Sequence, residues 1–274
     1  MDPSDCEISP QTLAHPPAYP PHHPAPHQSA PHHPAPDSLF ERCSWFYALC
    51  REYLFRDHTQ EIASSLFPGG GPETGVRVLE LGCGPGFYAC RLAQDYPQIQ
   101  SAGVDLSRSL IERARSRAAS RRLGNCTFTH GDAQSLVDPT SSVDAVVVSR
   151  LFLIVPGKEA VLREIHRVLR PGGRCFIAEP TSGFRTRIPL SCMWLLSRLT
   201  SSPAGKYREP RQADVMSRQD FSTLIHSQPW LSVDLQYDGW YQYAVCTKSP
   251  AQATPPSHDG TTEQQSQNNI WSTV

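Results

Sequence analysis

Residues 76–86, Val-Arg-Val-Leu-Glu-Leu-Gly-Cys-Gly-Pro-Gly, constrain this chain more than any other segment. They read as an apolar strand that closes on an acidic residue and runs into a turn with glycine at every second position. Glycine lets backbone approach a ligand closely, because it has no Cβ and tolerates positive φ. A helix-like run over 87–94 follows at once. Strand, Gly turn and helix N-terminus in that order form the unit with which α/β proteins hold nucleotide-like ligands.

The alternation continues downstream. Segments 101–106, 126–130, 143–149 and 174–178 read as further strands, the fourth strand with Val146-Val147-Val148 at its heart. Helices are predicted over 88–95, 109–122 and 158–169. The last of these puts Val161, Leu162, Ile165, Val168 and Leu169 on one side and stops at Pro171-Gly172-Gly173. The arginines between 108 and 122 read as a solvated helix face. Such alternation predicts a parallel sheet covered by helices. Segments 231–237 and 240–247 are rich in β-formers and flank Asp238-Gly239, a hairpin signal.

Upstream, Phe40, Phe46, Tyr47, Leu49, Tyr53, Leu54 and Ile62 recur at helical spacing before Pro68-Gly69-Gly70-Gly71-Pro72. One or two helices over 39–72 are expected to cap the core. Residues 1–38 form a tail dominated by proline and histidine, with His-His-Pro-Ala-Pro at 22–26 and again at 32–36. Proline this dense favours extended chain and cannot build a core, so the tail is expected to be disordered. The polar stretch 249–274 is expected to be disordered too. One domain, 39–248, remains between them.

A net charge of -1 supplies no global drive toward nucleic acid or anionic membrane. The nine cysteines are scattered and none forms a C-x-x-C pair, which argues against a disulfide framework or a metal site. No run reaches the roughly 18 apolar residues of a membrane span. The N-terminus has neither the basic start nor the apolar core of a secretory signal. The expectation is a cytoplasmic protein.

The strand and Gly turn, with acidic residues at later strand ends, resemble motif I of the class I S-adenosylmethionine (SAM) methyltransferases. The similarity is to the small-molecule group that includes the ubiquinone/menaquinone-biosynthesis C-methyltransferases. It spans about 40–248. It implies an α/β, Rossmann-like fold: a seven-stranded, mostly parallel sheet with one antiparallel strand and helices on both faces. It also implies SAM as cofactor and direct displacement of its methyl group by a small organic acceptor.

The cofactor-binding set carried by the resemblance is Glu80, Gly82, Cys83, Gly84, Gly86, Asp105, Leu106, Asp132, Ala133 and Ser149. The chemistry agrees. A carboxylate at 105 can accept from both hydroxyls of a ribose, and Asp132 can accept from an adenine amino group. Leu106 can cover the adenine face, backbone amides of 82–86 can approach the methionine part, and Glu80 favours its cationic end. A dinucleotide fingerprint would need Gly-x-Gly-x-x-Gly, and Phe87 stands at its third glycine.

For the acceptor, Glu179 and Arg150 at strand ends are the candidate base and anion contact. Tyr47 and Tyr53 in the cap, and Phe184, Arg185 and Trp194 in the atypical stretch 181–218, are the candidate substrate contacts. That stretch reads as a substrate-facing insertion for an apolar or aromatic acceptor, with a helix packed on the sheet or peripheral membrane contact as alternatives. A protein or RNA methyltransferase, and a catalytically silent SAM-binding scaffold, are the alternative functions.

Overall fold

The computed structural model describes residues 44–53, 55–181 and 215–250. Two cap helices come first, α1 (Ser44–Tyr53) and α2 (Thr59–Leu66). Then β1 (Arg77–Leu81), α3 (Phe87–Asp95), β2 (Gln100–Asp105), α4 (Arg108–Ser120) and β3 (Cys126–His130) alternate. They are followed by β4 (Val143–Ser149), α5 (Lys158–Val168), β5 (Leu169–Pro180), α6 (Arg218–Ile225), β6 (Trp230–Tyr237) and β7 (Tyr241–Lys248).

The strands form one seven-stranded sheet in the order β3-β2-β1-β4-β5-β7-β6. All pairings from β3 to β5 are parallel, and β7 runs antiparallel to both of its neighbours. The chain order reverses between β1 and β4, so a crevice opens at the carboxyl ends of the strands there. This is the expected fold class.

Strand alternation sorts the core into two layers. Leu79, Leu81, Val146 and Val148 face Val161, Leu162 and Ile165 of α5 and Phe221 and Leu224 of α6. Val78, Ala145, Val147 and Phe176 face Ile62 and Leu66 of α2 and Tyr88 and Leu92 of α3. The Val-rich β4 is buried on both faces, as a central parallel strand must be. A third cluster seats α4 on β3, with Ile111, Ala114 and Ala118 around Phe128.

Three expectations need correction. The fifth strand starts at Leu169 rather than 174. Val143 opposes Leu169 and Ala145 opposes Arg174, so Pro171-Gly172-Gly173 is accommodated as an irregularity inside the ladder, with Gly172 at φ 78°. Nor are the α4 arginines uniformly solvated. Arg117 is half-buried and donates to Glu52 Oε2 at 2.8 Å, tying α4 to the cap helix, while Arg115 donates to the Phe128 carbonyl. Position 218 does not belong to an insertion: it opens α6, which Ser217 caps by accepting from the Asp220 N–H.

Phe184, Arg185 and Trp194, the remainder of 181–218 beyond Thr181 and before 215, the N-terminal tail and residues 251–274 lie outside the described residues. No helix among the described residues is long and apolar enough to cross a membrane.

Candidate cofactor site

The first three strands end in loops that are hydrogen-bonded to one another. Cys83 N–H donates to the Val104 carbonyl at 3.1 Å, and Gly131 N–H donates to the Asp105 carbonyl at 3.0 Å. The Asp105 side chain completes the set. Its Oδ2 accepts from Gly84 N–H at 2.8 Å and its Oδ1 from Ser107 N–H at 2.8 Å. Ser107 in turn caps α4, accepting from Leu110 N–H. One half-buried carboxylate therefore holds the Gly turn and starts α4, while the backbone carbonyl of the same residue anchors the loop after β3.

Gly82, Gly84 and Gly86 all adopt positive φ, at 64°, 53° and 70°. Their missing side chains make room for protein as much as for ligand. A Cβ on Gly82 would meet Leu151, one on Gly84 would meet the Tyr47 ring at 3.1 Å, and one on Gly86 would meet Phe128 at 2.6 Å. Leu151 and Tyr47 offer side-chain atoms there, so a ligand at the turn competes with movable groups rather than with backbone. Cys83 is buried, and burial pushes its thiol well up, so it stays neutral and serves as a small filler.

Glu80, the buried penultimate residue of β1, has Oε2 accepting from Ala89 N–H at 2.8 Å in the first turn of α3. Burial pushes its pKa up to about 8, against the pull of the Ala89 N–H and Arg51. Asp132 lies half-buried after β3 and accepts from the Gln134 backbone N–H at 2.9 Å. Leu106 is 67% exposed, an apolar side chain standing beside Asp105 with its face open. Ala133 is buried, and Ser149 lies at the end of β4 beside the Tyr88 phenol. All of these residues lie at or just after the carboxyl ends of β1 to β4.

The acceptor-side candidates divide. Tyr47 is held between Arg150, Arg51 and the Gly turn. Tyr53 is 76% exposed and joins neither the core nor the crevice. Arg150 is buried at φ 59°, a strained backbone for a non-glycine residue. Its guanidinium lies 3.6 Å from the Phe55 ring centroid and reaches the phenols of Tyr47 and Tyr241. Glu179 is buried at the end of β5. Its Oε1 accepts from Phe152 N–H at 2.9 Å, its Oε2 has no partner, and burial pushes its pKa up to about 8. His58, buried between Tyr241 and Tyr243 at the start of α2, is pushed down to about 4 by burial and stays neutral.

Two residues escape sequence reasoning. Gln242 sits opposite Glu179 in the β5–β7 ladder, fully buried, with Oε1 unpartnered and Nε2 donating to the Met216 carbonyl. Only strand pairing reveals that neighbour. Arg51 is buried under the cap. Its signal was local: it follows Tyr47 by four residues and so shares its helix face.

Both raised carboxyls set a pH dependence. Between about 4.5 and 8 the folded chain keeps protons on Glu80 and Glu179 that the unfolded chain has released. Stability therefore falls as pH rises through that window. The ligand-free melting temperature is expected to drop by about 5 °C or more between pH 5.5 and 8.5. Glu179→Gln, which keeps an acceptor for Phe152 N–H, should flatten part of that slope in thermal denaturation. An unchanged slope would mean that Glu179 is already ionised in the folded protein.

A seven-stranded 3-2-1-4-5-7-6 sheet with a Gly turn after β1 and carboxylates on the next two strand ends defines the class I SAM-dependent methyltransferases. The methyltransferase-domain family profile matches residues 72–224, more than half of the chain, and the chain belongs to that family. It is similar to the demethylmenaquinone methyltransferase of Geobacillus kaustophilus, 33% identical over 118 residues, covering 41% of this chain and 50% of that one. The chain thus spans about half the length of that curated relative. Among solved structures it is similar to phosphoethanolamine N-methyltransferase 2 of Haemonchus contortus bound to SAM. That match has a TM-score of 0.58 and 14% identity, covering 76% of this chain and 57% of that one. It is also similar to the cyclase SpnF, with a TM-score of 0.57 and 19% identity, covering 79% and 97%. The structural likenesses establish the fold alone, and a cyclase among them shows why the site must carry the functional argument.

Proposed function

We propose that this protein is a SAM-dependent methyltransferase whose acceptor is a small organic molecule with an apolar or aromatic body, acting in the cytoplasm. The observation that carries the reading is the Asp105 carboxylate, which binds the Gly turn through Gly84 N–H and stands at the rim with Glu80 and Asp132. A carboxylate offers about four acceptor positions, so Asp105 can hold the turn and a vicinal diol together. Asp132 would take the adenine amino group, Leu106 would lie on the adenine face, and the amides of the Gly turn would border the methionine part. Ala133 and Ser149 would line the same cleft.

When bound, SAM supplies a methyl group already activated by its sulfonium. The protein's task is then to align the acceptor and exclude water. Tyr47 and the phenol-bound Arg150 would wall the acceptor side. Glu179 would take a proton from the acceptor where the chemistry needs one, since a carboxyl near pKa 8 is matched to that role. The similarity to a demethylmenaquinone methyltransferase supports an acceptor of this apolar, ring-containing kind.

Incubation with methyl-labelled SAM and fractionated metabolites, followed by mass spectrometry, tests the reading. Label in a small apolar product is expected. Label in protein or RNA would replace the acceptor class, and SAM binding without any acceptor-dependent turnover would mark a silent scaffold.

A further inference from the structure

Three of the nine large hydrophobic side chains exposed among the described residues lie on one ten-residue helix. They are Trp45, Leu49 and Tyr53 of α1, exposed by 52%, 48% and 76%. The other six are scattered over loops and the β6–β7 hairpin, where single exposed apolar residues are ordinary. Spacing of i, i+4 and i+8 puts the α1 trio on one face. The opposite side of α1 is occupied: Cys50 and Arg51 are buried, and Tyr47 lies against Gly84. The stripe therefore faces away from the protein.

The charge beside the stripe is positive. Glu52 shares the stripe's face, three residues after Leu49, and Arg117 of α4 neutralises it at 2.8 Å. Arg113, Arg117 and Arg121 recur at i, i+4 and i+8, so the side of α4 that reaches α1 carries a row of arginines. Residues 108–122 hold six arginines and one acid, Glu112. Asp57 and Glu61, which follow α1, are paired with Arg91 and Arg56. The attraction for anions is thus local, in a chain whose net charge is -1. An aromatic and aliphatic stripe flanked by arginine matches an anionic bilayer. Tryptophan and tyrosine suit the boundary between headgroup and acyl chain, leucine enters the acyl region, and arginine meets phosphate. RNA would engage the arginines and leave Leu49 in water. A second copy docked face to face would set two arginine rows against each other.

We propose that α1 docks on an anionic bilayer surface through Trp45, Leu49 and Tyr53, with the arginine row of α4 against the headgroups. The helix that meets the Gly turn through Tyr47 is then the one seated on lipid. The contact stands apart from the cofactor reading, since it needs nothing in the cleft.

Co-sedimentation of the full chain with vesicles tests the proposal, comparing mixed phosphatidylglycerol and phosphatidylcholine with phosphatidylcholine alone. The unaltered protein is expected to bind the anionic vesicles at least about ten-fold more tightly at low salt, with the difference shrinking as salt rises. Trp45→Gln, Leu49→Gln and Tyr53→Gln combined should weaken that binding at least about ten-fold. Arg113→Gln with Arg121→Gln should weaken it about ten-fold or more, since one arginine near such a surface contributes on the order of five-fold. Should the stripe variant fail to fold, hydrogen exchange over 44–53 in the unaltered protein decides: it should slow with anionic vesicles and not with neutral ones. Failure of the unaltered chain to bind anionic vesicles would overturn the proposal, as would full binding by the stripe variant. Self-association that the stripe variant abolishes, seen by ultracentrifugation without vesicle binding, would give the face to a second copy instead. Arginine-dependent retention of a single-stranded RNA without vesicle binding would give it to nucleic acid.

Discussion

Asp105→Ala is expected to lower affinity for S-adenosylhomocysteine at least about a hundred-fold, measured by calorimetric titration, and to destabilise the fold as well. The two effects have separate origins. Hydrogen bonds to a charged group contribute about 1.5–3 kcal/mol each, and a carboxylate serving both hydroxyls of a ribose makes two of them. Losing both is equivalent to roughly two orders of magnitude in affinity or more. The fold suffers because Gly84 N–H and Ser107 N–H lose their acceptors at 2.8 Å. Each donor left unmet away from water costs about 1–3 kcal/mol. Asp105→Asn separates the contributions, since its remaining oxygen keeps one of the two N–H groups. It should lose about half as much stability as Asp105→Ala and still bind poorly. Normal affinity in Asp105→Asn would reduce the residue to a clamp on the loops and remove the central support for the cofactor assignment.

Gly86→Ala should be the most damaging single-methyl change in the Gly turn, with a stability loss of about 3 kcal/mol or more in denaturant unfolding. Gly86 is the N-cap of α3 at φ 70° and ψ 40°, a left-handed conformation that costs an ordinary residue roughly 1–2 kcal/mol. Steric overlap adds to this. The new Cβ would lie 2.6 Å from Phe128 Cζ and 2.9 Å from the Ala114 Cβ. Phe128 is 5% exposed and packed between α4 and the Gly turn, and so is poorly placed to move. Gly172→Ala is the matched control: it also has positive φ, at 78°, but nothing lies within 4 Å of its Cβ. It should show the backbone cost alone, about 1 kcal/mol. Equal losses at the two positions would mean that the turn relaxes around the methyl and that close packing beneath it is unimportant.

The elements that could be read in advance are those specified by local chemistry. Strand β1 and its turn are written in period-two apolar residues, closely spaced glycines and a helical run, and all three act over a few residues. The Glu80, Asp105 and Asp132 positions were legible for the same reason. Each sits where a strand ends, and parallel strands put their carboxyl ends on one rim. The start of β5 was not legible. Pro171-Gly172-Gly173 carries a stop signal that the ladder with β4 overrides by absorbing the extra residues. Tyr53 shows the limit of periodicity from the other side. It shares the helical spacing of the cap yet points to solvent, because the apolar stripe of α1 is wider than the surface it covers.

By itself the amino-acid order determined the parallel α/β architecture, the Gly turn and the acidic residues that follow the strands, because periodicity and turn stereochemistry are properties of neighbouring residues. Tertiary structure alone decided which charges were buried and what they met. Glu80 and Glu179 become carboxyls near pKa 8, Gln242 is drawn opposite Glu179, and Arg51 is pressed onto Phe87 and Tyr88 without a hydrogen-bond partner. Desolvation is set by everything that packs around a group, and those neighbours come from distant parts of the chain.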